Sequence, residues 1–139
     1  MSYHLGLLEL SDSKRQNFFE SLCRQILGTD SSIRFAGIAN KFGRLVATKY
    51  RANLVPLMNK EETEQYAIQA VTRSLLRETF ESKIGKLRFS VGYYEELIRA
   101  TIPCLTGEEN GDFYVLVSFD VGSDVVSVIE KKIIQMIKQ

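Results

Sequence analysis

The chain has 139 residues and a mass of 15.8 kDa, with 45% apolar and 25% charged residues and a formal net charge of +1, the composition of one globular domain whose core needs no disulfide or metal to hold it. One His and two isolated Cys exclude a structural zinc set, and no stretch approaches the ~18 apolar residues of a membrane span. The start lacks the basic and apolar regions of a signal peptide, so a reducing cytoplasm with Cys23 and Cys104 as free thiols is expected.

Ser11 or Asp12 predicts the cap of a first helix, with Phe18, Phe19, Leu22, Cys23, Ile26 and Leu27 in one stripe and Gly28 as its C′ terminator. Ser32 to Asn40 and Arg44 to Arg51 read as a hairpin joined by Asn40-Lys41-Phe42-Gly43. The first of these strands is apolar on both faces, Ile33 and Phe35 one way and Ala36 and Ile38 the other, which suits a central strand covered on both sides. Asn59 and Glu62 have the spacing of a capping box, from which a long helix runs to about Ser82 before Gly85. Its apolar residues divide into two sides, Ala67, Ile68, Val71 and Leu75 against Tyr66, Ala70, Leu76 and Phe80. A helix of that kind has two neighbours, the sheet and a second copy of the chain.

Leu87, Phe89, Val91 and Tyr93 alternate with Lys86, Arg88, Ser90 and Gly92, the pattern of an edge strand. Leu97 to Cys104 follows, with Pro103 near its end, then the polar turn around Asn110-Gly111. Phe113 to Asp120, apolar on both faces, is expected to be central, and Asp124 or Ser123 to cap a last helix bearing Val125, Val126, Ile129, Ile133, Met136 and Ile137. Short connections make the sheet largely antiparallel, with helices on both faces and 1–139 forming one three-layer α+β domain.

No catalytic, cofactor or metal constellation stands out. His4 is alone, neither G-x-S-x-G, G-x-x-x-x-G-K-[ST] nor G-x-G-x-x-G occurs, and Glu108, Glu109 and Asp112 lack the ligand spacing of a calcium loop. Both cysteines read as inert core thiols. Charge is segregated: residues 31 to 60 hold six bases and no acid, and residues 100 to 130 six acids and no base. The basic hairpin, Lys41, Phe42, Arg44, Lys49 and Arg51, is the candidate partner-binding patch, and an acidic protein surface suits it better than nucleic acid. Tyr66, Ala70, Arg73, Arg77 and Phe80 on the long helix, with Phe89 on the third strand, are the candidate dimer interface, because Arg and aromatics on a partly apolar face match the composition of interfaces.

The element order and the hairpin Ile38-Ala39-Asn40-Lys41-Phe42-Gly43-Arg44-Leu45-Val46-Ala47 resemble the roadblock/dynein-light-chain group of profilin-like folds. Ile33 to Ala47 and the helix Glu61 to Phe80 are similar, more closely, to an uncharacterised family of small archaeal proteins. The resemblance implies a five-stranded antiparallel sheet in the order 2-1-5-4-3, with the first and last helices on one face and the long helix on the other. It also implies homodimers formed through the long helix and third strand, and a non-enzymatic regulatory or scaffold module whose partners include small GTPases. A sensor domain of the PAS or GAF kind is the alternative. A pocket of several hundred cubic ångströms between sheet and long helix favours the sensor, and a filled core the scaffold.

Overall fold

The computed structural model describes residues 10–104 and 113–138. The Ser11 hydroxyl accepts from the Lys14 amide at 3.3 Å and so starts α1, Asp12–Thr29, which buries Phe19, Leu22, Cys23 and Ile26 at helical spacing. The helix passes through Gly28 instead of ending there. The Thr29 hydroxyl donates to the Ile26 carbonyl at 2.6 Å, satisfying an end group that a left-handed glycine would otherwise serve.

β1, Ile33–Asn40, and β2, Leu45–Tyr50, form the expected hairpin. Its turn is closed by the Asn40 side chain, whose Oδ1 accepts from the amides of Phe42 at 2.9 Å and Arg44 at 3.1 Å. Beyond residues 51–59, Asn59 and Glu62 make a complete capping box for α2, Lys60–Arg77. A 3-10 turn, Glu78–Phe80, and α3, Glu81–Ile84, continue it to Gly85, whose φ of 90° ends the run.

β3 is shorter than its alternation predicts, only Ser90–Tyr93, followed by β4, Ile98–Cys104, and β5, Phe113–Phe119. Ser90 pairs with Thr101, so two more steps of the register would set Arg88 opposite Pro103, which has no N–H for the ladder. Leu87 and Phe89 therefore lie outside the strand, and Arg88 instead reaches Glu130 of the last helical segment. That segment comprises α4, Val125–Val128, a π-helical turn, Ile129–Ile133, and α5, Ile134–Ile137. Asp124 stands at its N-cap as expected, and its carbonyl accepts from the Val128 amide at 3.1 Å, but its side chain makes no cap bond, and the Ser123 hydroxyl donates back to the Asp120 carbonyl at 2.6 Å.

The strands pair antiparallel in the order β2-β1-β5-β4-β3, with β1 and β5 central and β3 at an edge as expected. One face packs on α1 and the C-terminal helices through Ile38, Ile98, Ile102, Phe113, Val115, Val117 and Phe119 against Leu22, Ile26, Ile129 and Ile133. The other packs on α2 through Phe35, Ala39, Tyr114 and Leu116 against Tyr66, Ala67, Ala70 and Val71. Each fully buried Leu or Ile contributes about 1.5–3 kcal/mol by leaving water. One expectation for β1 is corrected: Ile33 faces α1 and Phe35 faces α2. Ile33 pairs with Phe119 and Phe35 with the adjacent Ser118, so Arg34 is an extra residue that reverses the alternation.

Candidate protein-binding surface

The α2 helix divides differently from its sequence pattern. Thr63, Tyr66, Ala67, Ala70, Val71 and Ser74 are buried toward the sheet, so Tyr66 and Ala70, expected at a dimer interface, already spend their surface inside one chain. Ser74 and Tyr114, both buried, donate to Glu78 at 2.8 and 3.2 Å, which satisfies the two hydroxyls at the helix end. Arg73, Arg77 and Phe80 are exposed as expected. The outer apolar stripe consists of Ile68, Leu75 and Leu76, with Phe80 and Ile84 beyond, each between 48% and 81% exposed. Phe89 belongs to neither side of α2: it is half-buried against the core on the opposite face of the sheet.

The hairpin turn touches α2 directly. Gly43, at φ 83°, lies so close to the helix that an added Cβ would stand 2.6 Å from the Cα of Ile68. Phe42 beside it is 77% exposed, with Lys41 Nζ 5.6 Å from its ring centroid, so the turn extends the apolar stripe with an aromatic and a cation. Arg44 and Lys49 are exposed, and Lys49 lines an open groove of about 860 Å³ along the outer edge of β2 between α1 and the start of α2.

Arg51 departs from the expected patch. It makes a two-pronged contact with Asp120, 2.7 and 3.1 Å, and donates to the Ser31 carbonyl at 3.0 Å. Asp120 also accepts from Arg34 at 3.2 Å, and its amide donates to Ser32, so one carboxylate ties the ends of β1, β2 and β5. Hydrogen bonds from Arg51 and then Arg34 hold the Asp120 carboxyl below the usual range against the opposing effect of burial. The basic and acidic blocks of the sequence thus meet internally at this point.

Arg99 of β4 was not singled out by the sequence. Its guanidinium carbon sits 3.8 Å from the centroid of Tyr66 and 5.6 Å from that of Tyr94, and its Nη2 donates to the Met58 sulfur at 3.0 Å. Alternation in β4 puts Arg99 on a face that the long helix covers, which is the one signal that an internal cation stands there.

Burial pushes the Cys23 and Cys104 thiols up to about 12, as inert core groups require. Among the described residues no three His, Cys, Asp or Glu side chains gather where they would hold a metal, and no helix is long and apolar enough to cross a membrane. His4, Glu108, Glu109, Asp112 and the Asn110-Gly111 turn lie outside the described residues.

The strand order, the pairing of helices with faces and the position of α2 define the roadblock/LC7 fold. No family model and no curated protein matches the sequence. Among solved structures, the chain is similar to a roadblock/LC7 domain from Streptomyces avermitilis, with a TM-score of 0.64 at 11% identity over 86% of this chain and 91% of that one. It is similar also to the gliding protein MglB from Thermus thermophilus, TM-score 0.66 at 11% identity over 94% and 88% of the two chains. MglB from Myxococcus xanthus gives 0.63 at 12% identity over 93% and 92%.

Proposed function

We propose that the chain is a non-enzymatic module that pairs with a second copy of itself and presents the pair to another protein, with small GTPases the partner class that the roadblock resemblance implies. The observation that carries this reading is the outer stripe of α2. Ile68, Leu75, Leu76 and Phe80 are all about half exposed or more, flanked by Arg73 and Arg77, while the inner side of the same helix is closely packed. Large apolar side chains lined up with arginines are the makings of an interface core and its rim. The edge strand β3 adds unpaired backbone groups at one side of the sheet.

The space between sheet and α2 supports this reading over the sensor alternative. It is filled by Phe35, Tyr66, Val71, Tyr114 and Leu116, and the cavity beside them is about 40 Å³, far below the several hundred that a sensory ligand needs. The larger hollows lie elsewhere, along the outer edge of β2, beside the C-terminal end of α1, and between β4 and the last helical segment.

Light scattering across micromolar concentrations tests the pairing. The expected mass is twice the 15.8 kDa of one chain, and Leu76→Asp and Phe80→Asp each shift the protein toward monomer, since a carboxylate placed in an apolar contact loses water without gaining a partner. A monomer mass throughout would overturn the reading, and unchanged dimers in both variants would move the interface off this helix.

A further inference from the structure

β2 is an outermost strand of the sheet, so one row of its backbone groups has no strand to pair with. The Arg51 amide donates inward to the Arg34 carbonyl at 2.8 Å, and Lys49 and Ala47, opposite Ala36 and Ile38, occupy the same alternate positions of the ladder. Thr48 and Tyr50 therefore turn their N–H and C=O groups outward. So does the Val46 carbonyl, which accepts from Gln16 Nε2 of α1 at 2.6 Å. The groove of about 860 Å³ follows this edge along the whole of β2, with Gln16, Glu20 and Arg24 of α1 on one side and Pro56, Met58 and Thr63 on the other.

Charge along the groove is ordered. Gln16 of α1 stands at Val46 and Arg24 beside Lys49 and Tyr50, so helix and strand run side by side. Ile68 of α2 meets the hairpin turn at Gly43, which leaves Lys60 at the Tyr50 end. Arg24, Lys49 and Lys60 thus gather at that end, and Glu20 and Glu64 lie nearer the turn. None of the five is in an ion pair among the described residues.

We propose that this edge takes an extended segment of a partner protein as a further strand, antiparallel to β2, in which an acidic residue and, two positions on, a basic one face α1 between apolar neighbours. Strand addition gives each outward N–H and C=O a partner, and antiparallel pairing is the more stable of the two kinds. Ala47 packs on the α1 side of the sheet and Tyr50 on the α2 side. Residues placed opposite Lys49 and Ala47 therefore meet Arg24 and Glu20, and those opposite Tyr50 and Thr48 turn toward Pro56 and Met58. The spacing agrees: four residues along a helix advance about 6 Å, and two along a strand about 6.8 Å. The β2 strand of a second copy, centred on Thr48, would bring Ala47 where the acid belongs, so the charge order favours a different protein. β2 and β3 lie at opposite edges of the sheet, which makes this surface independent of pairing through α2 and β3.

The test is an NMR titration of the full chain with the acetylated and amidated peptide Ser-Val-Glu-Val-Lys-Val-Ser. Saturable shifts are expected along β2, and at saturation the Thr48 and Tyr50 amides should exchange with solvent at least tenfold more slowly. Exchanging Glu and Lys in the peptide should weaken binding at least fivefold. That preference should vanish in the double variant Glu20→Arg with Arg24→Glu, whose changes lie on an exposed helix face. Methylating the amide nitrogen of the central Val, which donates to the Thr48 carbonyl, should weaken binding at least tenfold, and methylating that of Glu, which points away from β2, less than twofold. No saturable shift at millimolar peptide, unprotected Thr48 and Tyr50 amides, equal affinity for the exchanged peptide, equal effects of the two methylations, or a preference that survives the double variant would each overturn the proposal.

Discussion

Gly43 and Ile68 meet backbone to helix: a methyl group on the glycine would come within 2.6 Å of the Ile68 Cα. This contact docks the β1–β2 turn onto α2 and so places Phe42 and Lys41 alongside the exposed stripe of the helix. The position is constrained twice, by the absence of room and by a φ of 83° that L side chains rarely adopt. Gly43→Ala is therefore expected to cost about 1–3 kcal/mol, read as a lowered denaturant midpoint. Gly28→Ala has open space around it within α1 and should leave stability unchanged or raise it slightly. Equal effects at the two glycines would contradict the docking.

Asp120 and Asp30 make stability depend on pH. Asp30 is lowered to about 2, chiefly by the Ser32 hydroxyl and then Lys132, and Asp120 is lowered chiefly by Arg51. A carboxyl depressed in the folded state stabilises it above the unfolded value, near 4, and that contribution fades as pH falls through the folded value. Thermal midpoints should thus hold steady from pH 7 to about 5 and fall below about 4. Asp120→Asn should cost about 1–2 kcal/mol at pH 7, a modest figure because the carboxylate is 39% exposed and partly screened. It should also flatten the acid limb, measured by unfolding of both proteins between pH 2 and 7.

The thiols provide a check on the core. With Cys23 and Cys104 buried and their thiols raised to about 12, a thiol reagent at pH 8 should label neither in the native chain and both after unfolding. Fast labelling of the native protein would place one of these sulfurs at the surface.

The exposed bases of the hairpin are expected to act on the rate of encounter. Arg44→Glu with Lys49→Glu should leave folding intact, because both side chains are solvated, and should slow association with an acidic partner protein more than it speeds dissociation. Rising salt should have the same effect on the parent, since the screening length falls from about 10 Å at 0.1 M to about 3 Å at 1 M. Arg51 is left out of the variant because its loss would also break the Asp120 cluster. Stopped-flow rates that change with neither salt nor charge reversal would leave the patch without a steering role.

Much of the architecture was legible in the chain itself. The Asn59–Glu62 spacing, the turn glycine at 43 and the doubly apolar runs of β1 and β5 are local signals, set by capping, by φ and by burial on two faces, and each specifies an element without knowledge of its neighbours. Burial of the two cysteines was legible as well, since Cys23 stands in the apolar stripe of α1 and Cys104 at the end of a largely apolar strand.

Only the tertiary structure decided which exposed groups remain available. The side of α2 that meets the sheet depends on where β4 and β5 lie beneath it, so periodicity alone could not separate Tyr66 and Ala70, which are buried, from Ile68 and Leu75, which are not. Arg51 and Asp120 are 69 residues apart and Tyr66 and Arg99 33, separations at which charge and ring contacts leave no trace in local pattern. The inserted Arg34 reverses the alternation of β1 because its pairing is set by β5, not by its own sequence. Helix caps, turns and strand runs are contacts between near neighbours and can be read along the chain. Helix orientation, ion-pair choice and cavity lining are contacts between distant residues, and they exist only once the sheet has brought those residues together.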